Sequence, residues 1–256
     1  MNSLNPVFTM LIAFFTVLGL LWLADRWLHR NLQGVMLLLA NDEELALWLY
    51  AILLLPGVVL HELSHAIVAA LLGVRIGRIN ILPRRVGKRI QLGFVPVEET
   101  DIVRASLIGA APMLFGSVAV VFVGYRMFGT PAMLTALSAG DWGAALRALS
   151  AALHVPDAWL WAYLVFAVGN TMLPSKSDTH AWPLLAGVLG GLVIVVLLAG
   201  GGSALFNGFG HVLTMAVRWM VLLGGSTLLV DLPFFALIWA TLKLLERWKG
   251  VRLQYR

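Results

Sequence analysis

Long runs of apolar residues, separated by short polar connections, make up most of this chain. Each run approaches or exceeds the roughly 20 apolar residues that a helix needs to cross a bilayer. This pattern predicts an all-α polytopic membrane protein with about six transmembrane helices. The predicted spans lie near residues 7–24, 46–73, 104–125, 157–173, 183–200 and 226–245.

Residues 77–97 show a different pattern, because apolar and polar positions alternate there. Ile79 and Ile81 alternate with polar neighbours, and the alternation returns at Ile90 and Leu92 after the basic stretch RRVGK. A period of two around a polar turn is typical of a β-hairpin. We therefore expect a membrane-associated β-hairpin directly after the second span.

The composition agrees with a membrane protein, since 60% of the 256 residues are hydrophobic and 12% are charged. The connections are too short for an independently folded domain, so we expect one membrane-embedded domain over residues 1–256. Aromatic and basic residues do not interleave in the way that nucleic-acid binding favours, so we expect no nucleic-acid partner. The chain contains no cysteine, which excludes disulfides and thiolate metal sites.

The Lys and Arg residues indicate an orientation, because such residues concentrate on cytoplasmic connections. With six spans and a cytoplasmic N-terminus, 13 of the 18 lie on the cytoplasmic side. Arg26 and Arg30, directly after the first span, favour the opposite orientation, but the larger clusters outweigh them. Residues 203–224 are also apolar enough to span, yet a crossing there would put the basic C-terminal tail outside. We therefore expect an interfacial or re-entrant segment, with its Arg218 as the partner of Asp231.

The second predicted span contains the motif HELSH, with His61, Glu62 and His65. On a helix, positions i and i+4 lie on one face, so two imidazoles can share one zinc ion at about 2.0–2.1 Å each. The adjacent Glu62 can act as a general base on a water molecule. Ionisable residues inside a membrane are usually functional. The alternative, two core histidines bonded to neighbouring helices, leaves Glu62 unexplained.

The motif is expected inside the membrane but nearer the basic end of its helix. At 1.5 Å per residue, His65 lies about 15 Å from Arg75, and His61 lies about 24 Å from Leu45. In the orientation given above, the site is nearer the cytoplasmic side. Pro56 is expected to kink the helix upstream of the motif.

A catalytic zinc site needs a third protein ligand and one open position. The stretch GNTMLPSKSDTHAWP at residues 169–183 favours Asp178 for that ligand. The second and fourth spans run in the same direction, so their C-terminal ends share one membrane side. His180 is the second choice, and the alternative is that Asp178 is an ordinary interfacial carboxylate beside Lys176. The further polar candidates in the chain are His29, His154, His211 and Asp231.

These residues resemble the site-2 proteases, a family of intramembrane zinc metalloproteases. The resemblance covers about residues 45–180 and lies in the HELSH motif, the following hairpin, a glycine-rich third span and an Asn-Pro-Asp element. It implies that Glu62 is the catalytic base and that Asn170 helps to hold the substrate or the oxyanion. It further implies one zinc ion per chain, with the ligands His61, His65 and Asp178.

Three features depart from the pattern of that family. Thr179 follows the aspartate where the family often has glycine. The third span reads GAAPMLFGS at residues 109–117, without the asparagine that often lies there. We also expect no PDZ or CBS domain in this chain, although many members of the family carry one.

The expected function is hydrolysis of peptide bonds within transmembrane segments, with transmembrane proteins or peptides as substrates and the lipid bilayer as surroundings. The hairpin is expected either to receive the extended substrate as an added strand or to bind anionic lipid headgroups. Two other functions stay open, a membrane metal-binding or transport protein and an inactive protease-like protein that binds clients. We expect an integral protein of a prokaryotic cell membrane, with both termini cytoplasmic.

Overall fold

The computed structural model describes residues 6–86, 89–200 and 202–252, and these residues are mostly helical. The predicted all-α class is confirmed to the extent that most of the described residues are helical. Two three-residue strands, β1 Arg84–Val86 and β2 Arg89–Gln91, lie between the second and third helices. The helices are α1 Pro6–Ala40, α2 Glu43–Leu71, α3 Ile102–Arg126, α4 Thr130–Ser138, α5 Trp142–Leu153, α6 Ala158–Gly169, α7 Trp182–Leu198 and α8 Gly202–Lys249.

Four helical stretches among the described residues are long and apolar enough to cross a membrane. A fifth crossing results if α5 and α6, which are bent by 99° relative to each other, form one broken span. These helices are compatible with an integral membrane protein, whereas the expected count of six spans is not confirmed. The four stretches are Met10–Ala40, Glu43–Leu71, Ile102–Arg126 and Thr214–Lys249.

The first and last helices are both longer than the sequence pattern indicates. Residues 203–224 do not form a separate segment, because α8 is one continuous helix of 48 residues. Likewise, α1 has 35 residues and continues well beyond the predicted span 7–24. The two helices pack against each other, and Gly224 of α8 is so close to α1 that a Cβ there would collide with Val17. Packing through a small residue allows this close approach of two long helices.

The helix that carries the HELSH motif has a defined start and a defined end. At its start, the Asp42 side chain accepts a backbone N–H from the first turn at 2.7 Å, which satisfies a donor that the helix leaves free. At its end, Gly73 adopts a left-handed conformation with φ of +69°. Its N–H donates to the Ala70 carbonyl at 3.1 Å, and the Val74 N–H donates to the Ala69 carbonyl at 2.9 Å. This pair of bonds is the Schellman arrangement that ends many helices.

Helix α2 lies among α1, α3 and α6, so the motif is surrounded by other helices. Gly57 allows α6 to approach closely, because a Cβ at this position would overlap the Ala167 carbonyl and the Thr171 side chain. Small residues at helix contacts let backbones approach where lipid supplies no hydrophobic driving force. The main apolar core joins α1, α2, α6 and α8 and includes Leu28, Leu54, Phe166 and Ile238.

The segment between α2 and α3 folds back on itself beside the motif. Strand β1 pairs antiparallel with β2, and isolated bridges continue the pairing between Asn80 and Phe94 and between Ile76 and Val97. Residues 87 and 88, at the tip of the expected hairpin, lie outside the described residues. A membrane-associated role of this segment stays a prediction. The pairing places the returning chain, residues 90–99, along the wall of a cavity that also contains the motif.

Candidate metal centre

The two motif histidines face the same point, as their spacing on a helix predicts. The Nε2 atoms of His61 and His65 are 3.2 Å apart, and their ring centroids are 4.9 Å apart. Both residues belong to α2, one helical turn from each other. His65 is buried, whereas His61 is half-buried towards the cavity.

Asp178 comes to the same point from the loop that joins α6 to α7. Its Oδ1 lies 3.4 Å from the Nε2 of His65, and its Oδ2 lies 3.6 Å from the Nε2 of His61. Within its own loop, Oδ2 accepts the Ser175 backbone N–H at 2.6 Å. Gly109 of α3 makes room for the loop, because a Cβ there would collide with the Asp178 carbonyl oxygen. The structure therefore brings the three predicted ligand residues together, within 4.8 Å of one another at their ligand atoms.

Two backbone carbonyls determine which nitrogen of each imidazole faces this point. The Nδ1 of His61 lies 2.7 Å from the Thr171 carbonyl oxygen, and the Nδ1 of His65 lies 2.8 Å from that of Ile108. A carbonyl oxygen accepts but cannot donate, so each Nδ1 carries the proton of the bond. In a neutral imidazole the Nε2 is then a lone-pair acceptor. Hydrogen bonds of this kind fix the tautomer and the ring orientation of histidine ligands in metal sites.

The converging atoms fit a small tetrahedral cation. Two neutral Nε2 atoms and a carboxylate present lone pairs to one another, and such a group is stable only with a cation or an added proton among them. Ligands at about 2.0–2.1 Å from a tetrahedral zinc ion are separated from each other by about 3.3 Å. The three observed separations of 3.2, 3.4 and 3.6 Å lie around that value. A His-His-carboxylate set is also a common ligand set of catalytic zinc.

Glu62 lies beside the histidines and is 7% exposed. Its carboxylate is next to the backbone of Gly93 on the returning chain of the paired segment, since a Cβ on Gly93 would be 2.6 Å from Glu62 Oε1. A glycine at this place therefore allows the carboxylate to keep its position. Glu62, the two histidines and Asp178 all line one large cavity of about 2060 Å³.

Asn170 is buried at the C-terminal end of α6, where it also lines the cavity. Its Nδ2 donates to the Phe166 carbonyl at 2.9 Å and to Oδ1 of Asp231 at 2.9 Å. The predicted role of Asn170 in holding the oxyanion stays a prediction, and it requires the release of one of these bonds. Asp231 does not pair with Arg218 as interpreted from the sequence, because thirteen residues on one helix separate them by about 20 Å.

Among the described residues, the other histidines are not part of the three-residue cluster, although His29 and His180 line the same cavity. His180 is exposed, with its Nδ1 2.6 Å from the Ser177 carbonyl oxygen. His29 lies between Oη of Tyr50 at 2.6 Å and Oδ1 of Asp25 at 3.0 Å. The Nδ1 of His154 lies 2.7 Å from the carbonyl oxygen at position 150, and the side chain of His211 is outside the described part of the chain.

Sequence reasoning did not find the groups that support the predicted ligands. The carbonyls of Ile108 and Thr171 carry no signal in the sequence, because every residue has a carbonyl. Gly93 lies in a segment that alternates like a strand, and its relation to Glu62 depends on tertiary contacts. The sequence did indicate that Asp231, an acid in a long apolar run, needs a partner, but it did not identify Asn170 as that partner.

Comparison of the chain with protein-family models, with curated proteins and with solved structures finds no match. The described residues combine long apolar helices with a His-His-Asp cluster and a neighbouring glutamate.

Proposed function

We propose that this chain is an intramembrane zinc metalloprotease, similar to the site-2 proteases, that hydrolyses peptide bonds within transmembrane segments of other proteins. The observation that carries the proposal is the convergence of two imidazole lone pairs and a carboxylate beside Glu62, on a helix long and apolar enough to cross a membrane. A metal cation among these lone pairs would stabilise the group, and the adjacent Glu62 carboxylate would be placed to accept a proton from water.

The side chains divide the chemistry among them. His61, His65 and Asp178 would hold one zinc ion, leaving a fourth position open towards the cavity. When bound, zinc supplies a Lewis acid that polarises a carbonyl and acidifies water. Glu62 would accept the proton of the attacking water and later deliver it to the leaving amine. The carbonyls behind the two histidines would keep both rings oriented through these steps.

The paired segment between α2 and α3 is suited to presenting a substrate in extended form. A helical peptide bond is shielded by its own hydrogen bonds, so the substrate must unwind locally before hydrolysis. Residues 90–99 line the cavity next to Glu62, where an extended peptide would add to them as a strand. The segment has a second candidate use, in which its Arg and Lys residues contact anionic lipid. This use can be distinguished from substrate presentation because it does not require the cavity.

The orientation in the membrane is part of the proposal. If the bent pair α5–α6 and the 17-residue helix α7 are added to the four long stretches, the chain crosses six times and both termini lie on one side. Because basic connections favour the cytoplasm, both termini would be cytoplasmic, in a prokaryotic cell membrane. The metal centre would then lie nearer the cytoplasmic side of the membrane.

The decisive experiment compares purified wild type with Glu62→Gln for bound zinc and for cleavage of model transmembrane peptides. We expect about one zinc per chain in both proteins and cleavage in the wild type alone. Glu98→Gln is the matched control, because Glu98 lines the same cavity but is exposed, and it should cleave normally. Cleavage that survives in Glu62→Gln would contradict the proposal.

The same preparations separate the remaining alternatives. A transport protein would take up zinc into vesicles whether or not Glu62 is present, and a client-binding protein would retain peptides without cutting them. Zinc content of Asp178→Ala and His180→Ala identifies the third ligand. We expect loss of zinc in the first variant and normal zinc in the second, and the opposite result would reassign the ligand to His180.

A further inference from the structure

We propose that Asp231 on α8 is a positioning residue of the metal centre, and that it acts on His61 through Asn170 and the Thr171 carbonyl. This inference rests on the proposed zinc site. It gives a role to a buried acidic group that the proposed chemistry does not use.

Asp231 and Asn170 form a buried polar contact between two helices. Asp231 is 1% exposed and Asn170 is 7% exposed. Oδ1 of Asp231 accepts the Nδ2–H of Asn170 at 2.9 Å. Among the described residues, no Lys, Arg or His forms an ion pair with Asp231 within 4.0 Å. A buried polar group of this kind is expensive, and inside a membrane such residues usually serve a function.

The contact reaches the metal centre through the end of α6. Asn170 is the residue that caps this helix, and its Nδ2 also donates to the Phe166 carbonyl one turn earlier. The following residue, Thr171, presents its carbonyl to the Nδ1 of His61 at 2.7 Å. The Thr171 carbonyl belongs to the peptide group that follows Thr171, so a shift of the Asn170 backbone after loss of its side-chain partner would reach this carbonyl through the backbone of Thr171. One side-chain hydrogen bond and the backbone from Asn170 to Thr171 therefore connect Asp231 to the carbonyl that orients His61.

Neighbouring contacts of α8 hold the same turn of α6 by packing. Thr227, one turn before Asp231, lies against Gly169, where a Cβ would be 2.7 Å from Thr227 Cγ2. Phe234, almost one turn after Asp231, stacks on Phe166 with ring centroids 4.2 Å apart. These apolar contacts can hold the helices together, but they do not set the direction of an amide. Asp231 is the acceptor on α8 that, together with the Phe166 carbonyl, specifies where the two N–H bonds of the Asn170 amide point.

The test is the zinc affinity of the purified full chain, measured by competition with a chromophoric chelator. Loss of a supporting hydrogen-bond partner typically weakens metal binding by about 10- to 100-fold. Since Asp231 acts through a further residue, we expect about tenfold weaker zinc binding in Asp231→Leu. Asp231→Asn keeps an oxygen that can accept from Asn170 and should bind zinc within about twofold of wild type. If the leucine variant does not accumulate, Asp231→Ser replaces it, because its hydroxyl is too short to reach Asn170.

A packing control distinguishes positioning from stability. Phe234→Leu weakens the same helix pair without changing the polar contact, so its unfolding midpoint should fall while its zinc affinity stays near wild type. Equal loss of affinity in Phe234→Leu and Asp231→Leu would overturn the inference, as would unchanged affinity in Asp231→Leu. Failure of the wild type to bind zinc would instead overturn the proposed function, and the inference with it.

Discussion

Gly93→Ala tests whether Glu62 works from the position that the structure gives it. The alanine Cβ would be 2.6 Å from Glu62 Oε1, 2.7 Å from Cγ and 2.9 Å from Cδ. Ordinary van der Waals contact begins at 3.4 Å, so the carboxylate or the returning chain must move by about 0.8 Å. The three short contacts involve the whole end of the side chain, so rotation of its last bond alone does not relieve them.

The size of the effect follows from the geometry of proton transfer. A misplacement of about 1 Å in a catalytic group costs about 100-fold in rate, so we expect a 10- to 100-fold lower kcat in Gly93→Ala. Zinc content should be unchanged, because the three atoms nearest to a Cβ at position 93 all belong to Glu62 and none belongs to a proposed ligand. Gly187→Ala is the matched control, since a Cβ at Gly187 meets nothing within 4 Å.

The assay is cleavage of a model transmembrane peptide in detergent at saturating substrate, with zinc measured on the same samples. Full activity in Gly93→Ala would refute the placement of Glu62 against this backbone. Loss of zinc together with activity would refute the reasoning in a different way, because the change would then act on the ligands and not on the base.

Three further results are expected. Gly109→Ala should weaken zinc binding at least tenfold in a chelator competition, because its Cβ would displace the loop that carries Asp178; normal affinity would contradict this. Tyr50→Phe should lower the free energy of unfolding by about 1 kcal/mol, since it removes the hydrogen bond between Tyr50 and His29. Its zinc affinity should not change, and an unchanged denaturation curve would count against the bond. Removal of zinc with a strong chelator should abolish cleavage and added zinc should restore it, whereas cleavage by the metal-free protein would exclude metal-dependent hydrolysis.

Part of the candidate site was predictable because it depends on local geometry. A helix places residues four apart on one face, so the convergence of His61 and His65 follows from the spacing in HELSH and from the apolar run around it. Asp178 was also predicted, although from weaker evidence. The second and fourth predicted spans run in the same direction, so their C-terminal ends were expected on the same side of the membrane. The use of these residues to bind zinc stays a prediction that the experiments above address.

The long helices show where pattern reading was insufficient. Polar residues within α1 and α8 suggested that the spans end early, but α1 and α8 pack along each other and continue. At the end of α8, Lys249 donates to the Leu38 carbonyl and to the Asn41 side chain, which satisfies groups at the C-terminal end of α1. Contacts more than 200 residues apart in the chain thus decide helix ends that a local window cannot predict.

The sequence by itself determined the class of protein and the motif: a mostly helical, apolar chain with two histidines and a glutamate on one helix. Only the tertiary structure decided which backbone carbonyls orient the imidazoles, which glycine lies against Glu62 and which partner Asp231 has. The physical reason is that hydropathy and helical period report only on short stretches of neighbouring residues. The positions of Thr171, Gly93 and Asp231 relative to the motif depend instead on how whole helices pack.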